Sequence, residues 1–345
     1  MGVNCRASLG SHVKALALST ATVLGSCATT REFAGPLAVR NQHPVQLVGA
    51  RPLPRSAAAQ PARSASVDWN SSLSSYFLSG AGTGGTFVMD GEMLRTTLGA
   101  RIGLSHGFDL AFELPVHHAS GGFLDRFVID WHDTFGFADQ GRSSVPRDDY
   151  ALEARGVGAP SAWRVEPHGL RLGDVPIELS YTIVDPEREG LGLALRGGIE
   201  LPTGDAAAGF GSGGVDLFAS VVGEWRLHAV ALTAQFGWTS LHTPDAMRDA
   251  GIALDDGPLF DLGAEVLISD RLALLALAQF DTAGLGANDF GRVTDDQWLL
   301  WVGLRQRLGS RSHLEFGLGE DLSRYVAPDF TAFLNFRFAI GPSPN

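Results

Sequence analysis

The chain has 345 residues, of which 45% are apolar and 19% charged, and a formal net charge of −12. That is too apolar for a disordered chain, and two cysteines exclude both a disulfide scaffold and a cysteine-based zinc cluster. The acidic balance argues against nucleic acid as a partner.

At the N-terminus, Arg6 and Lys14 precede the apolar run Ala15 to Gly25. The run is too short to cross a bilayer and reads as a signal-peptide core. It ends in Leu24-Gly25-Ser26-Cys27, which resembles a lipobox. The resemblance implies a lipoprotein-type signal over 1–26 and lipidation at Cys27. An ordinary signal peptide, cut near Ala28 or Ala34, is the alternative. Residues 27–66 follow as a low-complexity stretch with Pro36, Pro44, Pro52, Pro54 and Pro61. Such a stretch builds no core of its own and is expected to be a periplasmic tether or a plug.

From 67 to 340 the pattern has period two. Phe108, Leu110, Phe112, Leu114 and Val116 share one face, with Asp109, Ala111 and Glu113 on the other. Phe330, Ala332, Leu334, Phe336, Phe338 and Ile340 alternate with Thr331, Asn335 and Arg337. About twelve such segments occur, each long enough to cross a bilayer at a tilt. They lie near 67–79, 90–104, 108–118, 173–184, 191–201, 215–226, 229–241, 259–268, 271–282, 296–308, 312–321 and 329–340.

Connections alternate between short ones and long ones rich in Gly, Asp and Pro, the latter at 80–89, 119–172, 202–214, 242–258, 283–295 and 322–328. A further extended segment near 150–157 is assigned to the long second loop, since a thirteenth strand would break the even count. This is the plan of an antiparallel transmembrane β-barrel, closed because hydrocarbon leaves no partner for an open sheet edge. Outer-membrane lipid is then a partner, and both chain ends fall in the periplasm. Phe336 and Phe338 in the last strand resemble the signal read by barrel-assembly machinery. Residues 341–345 form a tail.

Trp69, Phe77, Trp225, Trp238, Phe280, Trp298, Phe330 and Phe338 fall where interfacial girdles belong. With the apolar face in lipid, the other face lines the lumen. Its candidate residues are Arg95, Arg101, Glu113, Arg196, Glu200, Glu265, Arg305, Glu315 and Arg337, joined by Asp109, Asp216, Glu224, Arg226, Asp261, Arg307 and His313. Charges of both signs can pair across strands, and the turn at 309–311 sets Arg305 opposite Glu315.

The densest polar group is the loop cluster His117, His118, Asp125, Trp131, His132 and Asp133. Phe123, Phe127, Trp131 and Phe135 recur at helical spacing, which predicts a short amphipathic helix. His and Asp can ligate zinc or act as bases, but no metalloprotease, nucleophile-elbow or phosphate-loop motif occurs. A packed loop helix is the plainer reading, and no metal, cofactor or catalytic residue is assigned. Asp90, Glu92 and Arg95 read as a loop salt-bridge group.

Gly35-Pro36-Leu37 with Asn41-Gln42-His43-Pro44, Asp90-Gly91-Glu92 before Arg95, and the stretch from His118 to Gly141-Arg142 together resemble a bacterial family known as a domain of unknown function. The resemblance covers nearly the whole mature chain and implies an outer-membrane barrel. Glu200-Leu201-Pro202-Thr203-Gly204-Asp205 also resembles a turn of porin-like proteins linked to uptake of aromatic compounds. The expected function is a passive channel or uptake protein for small molecules in the outer membrane. The rivals are a lipid-modifying enzyme using His117 or His118 with Asp125 or His132, and Ser120 as nucleophile, or a surface-binding lipoprotein.

Overall fold

The computed structural model describes residues 32–341 except 138, 140, 287, 324 and 325. The signal peptide and Cys27 lie outside the described residues. The first strands are β1 (Ala65–Gly82), β2 (Gly85–Gly103) and β3 (Phe108–Ser120). The helix α1 (Asp125–Phe135) and the strands β4 (Ala151–Gly156), β5 (Trp163–Arg164) and β6 (His168–Leu172) follow within one long connection. The wall continues with β7 (Val175–Val184), β8 (Leu191–Leu201), β9 (Asp216–Leu227), β10 (Val230–Ser240) and β11 (Gly257–Leu267). It ends with β12 (Leu272–Asp281), β13 (Gln297–Arg307), β14 (Ser312–Asp321) and β15 (Phe330–Ile340).

Twelve of these strands, β1 to β3 and β7 to β15, form an antiparallel barrel. It closes through β1 against β15 and β2 against β3. The strand 151–156 stays outside the wall, as the parity of the barrel requires. It pairs with the first part of β2, from Gly85–Gly156 to Asp90–Ala151. β6 continues the line of β7 along β3.

One expected connection is corrected. Residues 80–89 are not a long loop: β1 and β2 run on for 18 and 19 residues and turn over Thr83-Gly84. The glycines that read as a loop serve close packing instead. A Cβ on Gly82 would stand 2.3 Å from the carbonyl oxygen of Asp289, and Gly85 has φ +147°. Asp289 fixes the turn by accepting from the Thr83 hydroxyl at 2.6 Å and the Thr83 amide at 3.0 Å.

The outer face carries a belt of half-exposed apolar side chains, including Leu114, Leu179, Leu195, Val221, Leu262, Leu274 and Val302. Water would not tolerate an apolar surface of this extent on a lone chain, whereas hydrocarbon requires it together with closure. An aromatic row borders the belt at the long-loop end, where Phe236, Phe260, Phe280 and Trp298 are successive cross-strand partners. At the short-turn end, Trp69 pairs with Phe336, and the Phe108 and Tyr181 rings stack 4.5 Å apart.

Two large apolar clusters lie within, beside a small one of Ala57, Ala194 and Val222. One caps the long-loop mouth and includes Val45, Tyr76, Phe87, Met89, Trp163, Phe210, Met247 and Phe290. The other lines one side of the lumen, with Leu275, Leu277, Leu299, Trp301 and Phe333 packed on Leu37 and Val39. The inner face is therefore not polar throughout, and an inner chain segment covers these apolar side chains.

Candidate functional site

That inner segment is residues 33–64. It enters at the short-turn end, where the amides of Ala34 and Gly35 donate to Glu265 at 3.1 and 2.9 Å. It rises past β12 and β13, where Asn41 donates to Asp281 and to Gln297. At the long-loop end it turns over 44–49, tied by Leu47 N to His43 O at 3.0 Å and by Arg40 Nη2 to Gly49 O at 3.0 Å. It then descends across β10, β8, β7 and β3 and joins β1 at the end it entered. Pro52 and Pro54 suit the descending limb, since proline holds an extended chain and has no N–H to leave unsatisfied in a buried place.

The segment supplies cations to an acidic wall. Arg51 meets Asp261 at 2.7 Å and Asp281 at 2.6 Å, with all three side chains almost wholly buried. Arg55 bridges Glu113 at 3.1 Å and Glu178 at 3.2 Å. Glu224 accepts from Ser56 Oγ at 2.5 Å and Ala57 N at 2.8 Å. Asp216 accepts from Ala50 N at 3.2 Å. Low local dielectric makes such pairs strong when complete and costly when broken. His43 stands at the turn with its ring stacked 6.2 Å from Phe87, and burial pushes its pKa down to about 3. The ring is neutral, and its Nδ1 accepts from Val45 N at 3.2 Å.

The lumen candidates are placed as follows. Arg305 bridges Glu265 at 2.6 Å and Glu315 at 2.8 Å, and donates to Gly35 O at 2.7 Å. The turn after β13 does set Arg305 opposite Glu315. Arg196 donates to Leu53 O at 3.0 Å and to Gln235 at 2.9 Å. Arg95 lies 3.6 Å from Glu113, and Glu200 is buried on β8. Arg101 pairs with Asp109 at 2.6 Å and donates to Ala58 O. Arg337 pairs with Asp68. Around the short-turn end, Arg101, Arg226, Arg307, Arg311 and Arg337 line a cavity of about 190 Å³ beside Glu32 and Gln60.

The loop cluster is divided. His117 and His118 lie on opposite faces of β3. His117 is buried inside, its ring 5.3 Å from that of Phe210, and His118 is half-buried on the outside. α1 forms as expected, but it buries Asp125, Val128 and His132 and exposes Phe127 and Phe135. Asp125 pairs with Arg142, which also meets Asp329 at 2.6 Å. Burial pushes the Asp329 carboxyl up to about 7, with Arg142 pulling the other way. Burial alone would depress His132, but a hydrogen bond to Glu320 and the charge of Asp329 raise it. Asp133 is exposed, and Trp131 packs 4.3 Å from Phe135. His117 is therefore inside the wall while Asp125, His132 and Ser120 are outside it. Among the described residues no group of three or more His, Cys, Asp or Glu is placed to hold a metal.

Two further expectations fail. Asp90 and Glu92 face outward and Arg95 inward, so they form no group. Phe77 and Phe330 do not border lipid: Arg142 lies 5.8 Å over the Phe77 ring, and Phe127 and Trp131 cover Phe330. Sequence reading missed Arg40, Arg51 and Arg55. For Arg51 and Arg55 the signal was Arg51-Pro52-Leu53-Pro54-Arg55, two cations spaced along a proline-rich extended stretch.

No curated protein matches the chain by sequence. By structure it is similar to an outer-membrane channel from Pseudomonas putida F1, at 13% identity and a TM-score of 0.51, over 83% of this chain and 99% of that one. It is less similar to the toluene transporter TodX of P. putida (8% identity, TM-score 0.36, 88% and 94% covered). The monoaromatic hydrocarbon channel CymD stands at 10% identity and TM-score 0.38, with 90% and 95% covered. The likeness to the P. putida F1 channel is one of fold. The family model described as a protein of unknown function, DUF3187, matches residues 13–340, and the chain belongs to that family.

Proposed function

We propose that the protein is a gated outer-membrane channel for small molecules, with residues 33–64 as its plug. One observation carries this reading: the wall carboxylates are matched by arginines and amides of a segment that enters and leaves the lumen at the same end. A filling tied this way can be withdrawn as a unit, whereas side chains of the wall cannot. The short turns and both chain ends then face the periplasm, and the long loops face outward. With the plug withdrawn, the exposed Asp, Glu and Arg residues of the wall set the selectivity for solutes.

The test compares the full chain with a variant lacking 33–63, each checked for a folded, heat-modifiable barrel and reconstituted in planar bilayers. The full chain is expected to stay mostly closed, and the shortened one to conduct steadily. A folded shortened barrel that conducts no more than the full chain refutes the plugged-channel reading.

A further inference from the structure

α1 is built inside out for a helix beside water. At 3.6 residues per turn, Asp125, Val128 and His132 share one face. Phe127, Trp131 and Phe135 share the next, and Arg126, Asp130 and Asp133 the third. The first face is buried on the barrel and the third is exposed. The aromatic face is left open apart from the half-buried Trp131: Phe127 is 46% exposed and Phe135 60%, with Phe123 just before the helix at 71%.

The surface beneath α1 is the outside of the barrel wall. Glu315 and Asn335 point inward, so Glu320 and Phe330 point outward. Arg95 points inward, so Glu92 points outward. Glu92 accepts from the amides of Phe123 and Leu124 and so holds the helix N-terminus. His132 Nε2 lies 3.4 Å from Glu320, and Phe127 and Trp131 pack on Phe330 with ring centroids 5.1 and 5.7 Å apart. α1 therefore lies along the outer rim over β14 and β15.

That position continues the aromatic row of the long-loop end. The row Phe236, Phe260, Phe280 and Trp298 stops at β13. On β14 the residue level with Trp298 is Leu322; one outward rung further into the wall Glu320 stands opposite Leu300, and the register of Gly319 with Thr331 sets Phe330 of β15 beside it. A carboxylate there would face lipid, but α1 covers it with His132 and presents its own aromatics.

We infer that α1 is a membrane-interface helix whose Phe123, Phe127, Trp131 and Phe135 dock into the acyl chains of the bilayer leaflet at the long-loop end. The polar third face then meets headgroups and water, as an interfacial helix requires. The inference rests on the transmembrane placement of the barrel proposed above.

The test places the photo-crosslinker p-benzoylphenylalanine at Phe127, Phe135, Asp133 or Val302 of the full chain in vesicles of bacterial outer-membrane lipid. Val302 reports the apolar belt, and Asp133 the water-facing side of α1. Lipid adducts at positions 127 and 135 are expected to match those at 302 and to exceed those at 133 several-fold. Adducts at 302 with none above the 133 level at 127 and 135 overturn the α1 assignment alone. No adduct at 302 overturns the membrane placement with it. Crosslinks from 127 and 135 to a second copy of the chain, in place of lipid, also overturn the assignment.

Discussion

The plug is sharply tested by Arg51→Met. Arg51 is held at 2.7 Å from Asp261 and 2.6 Å from Asp281, with no solvent to replace it while the segment is docked. Removing one partner of a buried ion pair costs roughly 3–5 kcal/mol. Here the carboxylates keep some partners: Gln235 and Gln279 on Asp261, and Asn41 on Asp281, each at 3.1 Å. The lower end of that range, about 3 kcal/mol, therefore applies. In the withdrawn state water fills the lumen and hydrates both carboxylates, so the whole cost falls on the docked state. At 1.4 kcal/mol per decade, the open-to-closed ratio rises about a hundredfold. Single-channel recording in planar bilayers reads this ratio directly. The variant Arg51→Met with Asp261→Asn and Asp281→Asn restores a neutral, matched site and is expected to close again. A single variant that stays closed like the parent, or a triple variant as open as the single, refutes the reasoning.

Val302→Arg sets a charge in the apolar belt and is expected to cost roughly 2–4 kcal/mol, read by denaturant unfolding in lipid vesicles; an unchanged midpoint would place this face in water. Gly122→Ala forces a Cβ to within 1.8 Å of Glu92 Cδ at φ +79°. Glu92 must then release the N-terminus of α1, a local loss of about 1–3 kcal/mol that hydrogen exchange at Val128 detects. The same exchange measurement tests pH. The folded pKa of His132 is raised above 6.5, so its contribution is complete below 6.5 and is lost as pH rises through the folded value. Asp329, raised from 3.8 to about 7, acts with the same sign because the docked state holds its proton longer. Protection of α1, corrected for intrinsic rates, should therefore fall as pH rises from about 4 to about 7 through Asp329, and further above 6.5 through the raised folded value of His132. A rise would contradict the assignment of these two groups.

The apolar alternation from Phe108 to Val116 and from Phe330 to Ile340 is a local property of the chain. Together with strand length and the rhythm of connections it determines a closed barrel, since period two fixes which side meets lipid. The register of Arg305 with Glu315 follows in the same way, because a tight turn leaves one pairing. The hairpin at Thr83-Gly84 escaped such reading, since glycine signals both a loop and a close approach, and only Asp289, two hundred residues away in sequence, selects the second. Sequence left the N-terminal stretch as either a tether or a plug, and its path through the lumen escaped for a related reason. Residues 33–64 carry no periodicity, because their conformation is set by carboxylates spread over five strands, β3, β7, β9, β11 and β12. Helical spacing located α1, but its orientation depends on Glu92, Glu320 and Asp329, which draw its polar side inward and leave its aromatic side to the bilayer.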